Sequence, residues 1–195
     1  MRTRTAITAA LLLGATAAAC GGSDSAKPGP TVTVTKTVTP AAKSAEPSPS
    51  SATYAFGTPW EFESTDGSIG TFAGTVTVLG YKQGVASVGS ASQEAGASRY
   101  VWAYADLKLC VTKGSYNDDN TSWTLYYSDG SRVDPSSSTY DDFPKPEFPI
   151  QVTVTAGKCA RGKLVFPVPG GKRPESVLYS PPGLDQPTEW TVPKA

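Results

Sequence analysis

The chain has 195 residues, 17 Lys and Arg against 17 Asp and Glu, and no histidine. That length holds one ordinary domain plus extra segments, and the balanced charge argues against a nucleic-acid partner. The lack of histidine removes the usual base of nucleophilic triads and the commonest zinc ligand, leaving carboxylate or Ser/Lys chemistry open.

Residues 1–19 begin with Arg2 and Arg4, continue with an apolar run around Leu11, Leu12 and Leu13, and end in small residues. This is the pattern of a secretory signal peptide, with an apolar run too short to span a bilayer comfortably. Arg2 and Arg4 are not adjacent, so ordinary unfolded export is expected rather than the twin-arginine route. Ala17-Ala18-Ala19-Cys20 resembles a bacterial lipobox, with Ala17 where leucine is usual. The resemblance implies lipidation of Cys20 and anchoring on the outer face of the cytoplasmic membrane, since two acyl chains hold where one is marginal. The alternative is an A-x-A site for ordinary signal peptidase, which leaves a free thiol.

Residues 20–53 are dominated by Ser, Thr, Pro, Ala and Lys, with TVTVTKTVTP at 31–40. No large apolar side chain accompanies the alternating Thr and Val, so a solvated tether is expected rather than a strand. It spans about 30 Å as a coil and at most about 100 Å drawn out.

The ordered domain is expected over residues 54–195, which hold all the Trp, Tyr and Phe residues. Strands are predicted near Trp60–Glu63, Thr71–Gly80, Arg99–Thr112, Ser122–Ser128, Ile150–Thr155, Lys163–Val168, Ser176–Tyr179 and Glu189–Val192. Turn signals at Asp129-Gly130, Pro169-Gly170-Gly171 and Pro181-Pro182-Gly183 separate them. Short strands at this spacing predict an all-β sandwich of about seven to eight strands. In the longest strand, Val101, Ala103, Ala105, Leu107, Leu109 and Val111 share one face. The other face carries Tyr100, Trp102, Tyr104, Asp106, Lys108 and Cys110. Burying Asp106 and Lys108 without partners would cost too much, so the aliphatic face is expected inside.

Gly157, Gly162 and Lys163 give G-x-x-x-x-G-K, most of a phosphate-binding loop. Leu164 takes the place of the Mg²⁺-binding Ser/Thr, and Pro167 and Pro169 stand where the helix should run, so no nucleotide is expected. The segment reads as a loop entering a strand. With Cys20 assigned to lipid, Cys110 and Cys159 are the remaining pair, and an exported domain can keep them oxidised as a structural disulfide. Free thiols or a metal site are the alternatives, and further ligands for a metal are lacking. The order Cys110, Trp123, Cys159 resembles the immunoglobulin arrangement, but Gly157 stands where that arrangement has a tyrosine, and Cys110 falls on the non-aliphatic face. The bridge is therefore expected on the outside of a sheet or at a bulge.

The lipobox-like leader, the Thr/Ser/Pro tether, YVWAYADLKLCV, WTLYYSDGSRV, GKLVFPVPGG and the closing EWTV together resemble actinobacterial lipoproteins with a telokin-like, immunoglobulin-type domain. Secreted mycobacterial immunoprotective antigens belong to that superfamily. The resemblance covers about Tyr54 to Val192 and implies a fold and an extracytoplasmic location, with no catalytic residue to transfer.

Tyr100, Trp102 and Tyr104, with Tyr126 on a neighbouring strand, could form an aromatic surface for a sugar ring or a protein pocket. The competing reading is a sheet face covered by the chain's own loops. Asp118, Asp119 and Asn120, and separately Asp141 and Asp142, could supply oxygen ligands for Ca²⁺, but neither matches a known loop spacing and both read more simply as turn formers. No cofactor or metal is expected. The function expected is a non-catalytic binding module of the cell envelope, its partner an envelope protein or a cell-wall glycan. A carboxylate-based glycan hydrolase and a purely structural surface spacer are the alternatives.

Overall fold

The structure is a computed structural model that describes residues 52–184 and 186–194. The leader, Cys20 and the tether up to residue 51 lie outside the described residues. In chain order the elements are β1 (Ala52–Tyr54), β2 (Trp60–Ser64), β3 (Phe72–Val85), α1 (Ala91–Glu94), β4 (Tyr100–Lys113), β5 (Ser115–Asp119), β6 (Trp123–Tyr126), β7 (Arg132–Val133), β8 (Gln151–Thr155), β9 (Lys158–Pro169), β10 (Ser176–Tyr179) and β11 (Thr188–Thr191), with a 3-10 turn at Asn120–Ser122.

Two sheets face each other. One runs β1-β11-β10-β6-β7 and the other β2-β3-β4-β9, while β5 and β8 form a separate ribbon. The period of two along β4 decides which side chains meet between them. Ala103, Ala105, Leu107, Leu109 and Val111 point inward, as expected, and pack in one core with Trp123, Leu125, Val177, Tyr179 and Trp190 of the opposite sheet. The Trp123 ring lies 4.4 Å from that of Tyr179 and 6.3 Å from that of Trp190, an aromatic layer across the middle of the five-stranded sheet.

All eight predicted strands are present, and three short ones raise the count to eleven. The first, β1, starts at Ala52, so the domain takes up two residues of the expected tether by parallel pairing with β11. The second, β5, has the sequence SYNDD, poor in β-formers, and exists because each of its residues pairs with β8. The third, β7, is two residues long and pairs with β6. The expected loop before Lys163 is itself strand. Pairing with β4 runs from Tyr100↔Pro169 through Cys110↔Cys159 to Val111↔Lys158, so β9 begins five residues earlier than predicted.

Candidate functional site

The outer face of β4 is not open where Trp102 stands. Trp102 is 3% exposed and packs with Ala91, Phe143 and Val165 in a second, smaller apolar cluster that Tyr100, Tyr104 and Tyr140 flank. Its indole Nε1 donates to the Gly89 carbonyl at 2.8 Å, and the Phe143 ring meets it edge-on at 5.0 Å. Tyr100 and Tyr104 are half-buried. The Lys163 ammonium lies 5.7 Å from the centroid of the Tyr104 ring. Tyr126 is elsewhere: it lies on β6 in the opposite sheet, under the Arg132 guanidinium at 5.8 Å. At Trp102 the aromatic row is thus covered by the chain's own segments, while Tyr100 and Tyr104 at its flanks stay partly exposed. The physical reason is that an aromatic side chain of this size leaves some 150–250 Å² of mostly apolar surface to bury, and residues some forty positions downstream supply the cover.

The segment that covers Trp102 also lines a cleft of about 430 Å³ beside Lys163–Val165 of β9. One wall is the run from Asp134 to Thr139, the other is Asn120, Thr121 and Ile150, and the floor includes Phe148 and Leu164. Backbone bonds fix both walls. The Ser136 amide donates to the Val165 carbonyl at 2.8 Å, and the Asn120 amide donates to the Ile150 carbonyl at 2.9 Å. Glu94 of α1 accepts from the Ser136 hydroxyl at 2.6 Å and the Ser137 amide at 2.8 Å, which sets the hydroxyl-bearing run in place. Ile150 is 64% exposed beside these polar groups. An exposed aliphatic side chain next to hydroxyls, an amide and a carboxylate is the mixed lining of a small-molecule site. The sequence PSSSTYDD carries no signal for this, since a serine run reads as an ordinary polar loop.

The two carboxylates of the cleft are both engaged. Asp134 accepts from the Thr124 hydroxyl at 3.3 Å, and Glu147 accepts from Thr139 at 2.7 Å and from the Lys145 ammonium. The Lys145 hydrogen bond, with that of Thr139, holds Glu147 below the usual glutamate range. Asp118 moves the other way. It is 5% exposed, accepts from the Tyr179 hydroxyl at 3.1 Å and from Trp123 Nε1 at 3.4 Å, and burial raises it to about 6. Asp119 caps the 3-10 turn by accepting from the Thr121 amide at 2.8 Å. Asp142 accepts from the Ser87 hydroxyl and the Val88 amide, at 2.9 and 2.7 Å. Asp118 faces the core, Asp119 a turn and Asp142 another loop, so these acids do not converge. Among the described residues no group of three Cys, Asp or Glu side chains is placed to hold a metal ion.

A solved structure shares this architecture. A secreted protein from Mycobacterium tuberculosis, MPT63, aligns with a TM-score of 0.55 at 16% sequence identity, over 74% of this chain and 99% of that one. The chain has the fold of MPT63. Two Bacillus subtilis proteins align more loosely. One is yjhA, at a TM-score of 0.48 and 11% identity over 72% of this chain and 99% of that chain. The other is ycdA, at 0.48 and 17% over 68% of this chain, which spans only 38% of that chain. No protein-family model and no curated protein sequence matches the chain. The likeness to MPT63 and the two facing sheets establish the immunoglobulin-like β-sandwich.

Within that fold the phosphate-loop letters have separate local causes. Gly157 takes φ +77° in the turn joining β8 to β9, a conformation that suits glycine. Gly162 sits where the segment Pro146–Phe148 runs parallel to β9, bridged to it at Glu147 and Lys163, and a Cβ there would collide with the backbone of Glu147. Leu164 is a buried core residue in strand conformation. Cys159 is bonded to Cys110 directly across β4 and β9, on the outer face of the sheet where the sequence placed the bridge.

Proposed function

We propose that the protein is a non-catalytic binding module of the cell envelope, held by lipid at Cys20 on the outer face of the cytoplasmic membrane, and that the cleft between Asn120 and Thr139 recognises a cell-wall glycan. The observation that carries this reading is the cleft lining, in which Ile150 stands exposed among the side chains of Asn120, Asp134 and Ser136–Thr139. A sugar ring needs that combination: an aliphatic surface for its C–H face and polar groups for its hydroxyls. The Cys110–Cys159 bridge supports export, because such bonds persist in oxidising compartments.

The glycan hydrolase alternative is disfavoured by the electrostatics. A general acid at neutral pH needs a raised pKa, and Glu147 is shifted down. The carboxylate that burial raises, Asp118, lies in the core beneath Tyr179 and Trp123 rather than in the cleft. The test is co-sedimentation of the full chain with purified wall sacculi, beside Ile150→Asp and Asn120→Ala variants that keep the parental circular dichroism. Pelleting by the parent and its loss in both variants is the expected outcome. Failure of the parent to pellet removes the glycan reading and turns the search to protein partners by crosslinking. Release of soluble sugar fragments overturns the non-catalytic one.

A further inference from the structure

The turn between β9 and β10, Gly170-Gly171-Lys172-Arg173, carries two cations that the fold holds in place. The Arg173 guanidinium lies 5.1 Å from the centroid of the Tyr81 ring, and its Nε donates to the Pro193 carbonyl at 2.8 Å. The Tyr81 hydroxyl donates to Gln83 Oε1 at 2.9 Å, and Gln83 Nε2 donates to the carbonyls of Pro169 and Lys172 at 3.1 and 2.9 Å. Lys172 Nζ reaches Asp129 at 2.6 Å. The Gly170 amide donates to the Arg99 carbonyl at 2.8 Å, which brings a third exposed cationic residue to the turn. Ordering these groups in advance lowers the entropic cost of holding an anion there.

Lys172 and Arg173 share a depression of about 430 Å³ with Gln83, Gly84, Val101 and the two glycines, and no carboxylate lines it. Concavities elsewhere on the domain hold carboxylates, Asp134 and Glu147 in the cleft and Glu61 and Glu63 beside β2, whereas the adjoining hollow that shares Gly84 and Val101 holds none. In a chain with 17 cationic and 17 anionic side chains, and with Lys172 paired to Asp129, the positive character of this depression rests on Arg173. The strand registers put it at the end of the domain away from Ala52. Ala52 pairs with Thr188, which pairs with Tyr179, whereas Arg173 and Pro193 flank the Ser176↔Thr191 pair at the other end.

We propose that this turn binds a linear polymer carrying phosphate groups. The stack on Tyr81 and the single bond to Pro193 leave Arg173 with outward N–H donors, and a planar guanidinium fork matches phosphate oxygens in pairs. Lys172 beside it is paired with Asp129, so the charge offered to a ligand is chiefly that of Arg173. Gly170 and Gly171 have no side chains to keep a polymer backbone from the surface.

The test is fluorescence anisotropy of labelled linear polyphosphate with the full chain across a salt series. Binding is expected at low salt and weakens as salt rises, through release of counterions from the polymer. Lys172→Ala/Arg173→Ala loses at least about tenfold in affinity, the worth of one charge-assisted hydrogen bond or more. Lys113→Ala/Lys158→Ala removes the same charge from the other end of the domain and stays within about twofold, because that site is beyond the screening length. Arg173→Lys keeps the charge without the fork and weakens binding even if the double alanine variant is unstable. No binding at low salt, an equal loss in the Lys113/Lys158 variant, unchanged affinity in Arg173→Lys, or equally tight binding of labelled polyglutamate would each overturn the proposal.

Discussion

Tyr179 of β10 donates its hydroxyl to Asp118 of β5 at 3.1 Å, and Tyr116 lies 3.1 Å from the same hydroxyl. This buried polar contact ties the β5–β8 ribbon to the five-stranded sheet. Asp118 bears the cost of it, because burial disfavours its charged form and lifts it from 3.8 to about 6. The folded protein therefore holds this proton more tightly than the unfolded chain does. Stability from the group is full below about pH 3.8 and is lost as pH rises through about 6, by roughly 3 kcal/mol in total. Glu147, Asp66 and Asp129 are shifted down instead, so their contribution changes only at lower pH. Urea unfolding is expected to show higher stability at pH 5 than at pH 7. Asp118→Asn, which keeps an acceptor for Tyr179 and cannot ionise, should flatten that difference.

Trp102 is a packing residue, and its replacement should register in stability before any binding assay. Trp102→Ser empties the cluster with Ala91, Phe143 and Val165 and is expected to cost about 3–5 kcal/mol. Lys108→Ser on the same face of β4 but exposed to solvent should change stability by less than about 0.5 kcal/mol. Denaturant midpoints of the two variants make the comparison. Equal and small effects would mean that Trp102 is exposed in solution.

Gly162→Ala forces a methyl group against the Glu147 backbone, which is part of the cleft wall. A loss of about 1–3 kcal/mol is expected from this overpacking. Gly157→Ala meets no neighbour within 4 Å but must adopt φ +77°, and about 1 kcal/mol is expected from backbone strain alone. Calorimetry ranks the two. A milder effect at position 162 than at 157 would show that the Pro146–Phe148 segment does not press on β9.

The Cys110–Cys159 bridge spans a sequence separation of 49, and the chain-entropy model assigns it roughly 4 kcal/mol. The strands it joins are paired along β4 and β9 without it. Cys110→Ser/Cys159→Ser should therefore fold with the same far-ultraviolet circular dichroism and a lower urea midpoint. A variant that is unfolded in buffer would show that the ladder cannot form without the covalent link.

Much of the fold is local and was legible. The alternation along Tyr100–Lys113 separates Leu107 and Leu109 from Asp106 and Lys108 by a period of two, which is a property of consecutive residues. Lys163–Val168, Ser176–Tyr179 and the turn at Asp129-Gly130 carry equally local signals, and the two cysteines left after Cys20 are bonded to each other. The short strands were not legible, because Ala52–Tyr54 and Ser115–Asp119 owe their conformation to β11 and β8 rather than to their own propensity.

The candidate sites divide in the same way. Composition alone removed histidine chemistry, and Leu164 in the Ser/Thr place argued against a nucleotide. Whether an aromatic row faces water, a partner or its own chain depends on residues far away in sequence, and Tyr140 and Phe143 decide it for Trp102. The burial of Asp118 beneath Tyr179, the close approach of Glu147 to Gly162, and the meeting of Asn120 with Ile150 at the cleft are contacts between distant segments. Periodicity and turn chemistry report what a strand presents on each face. Only the closed tertiary structure determines what stands opposite each face.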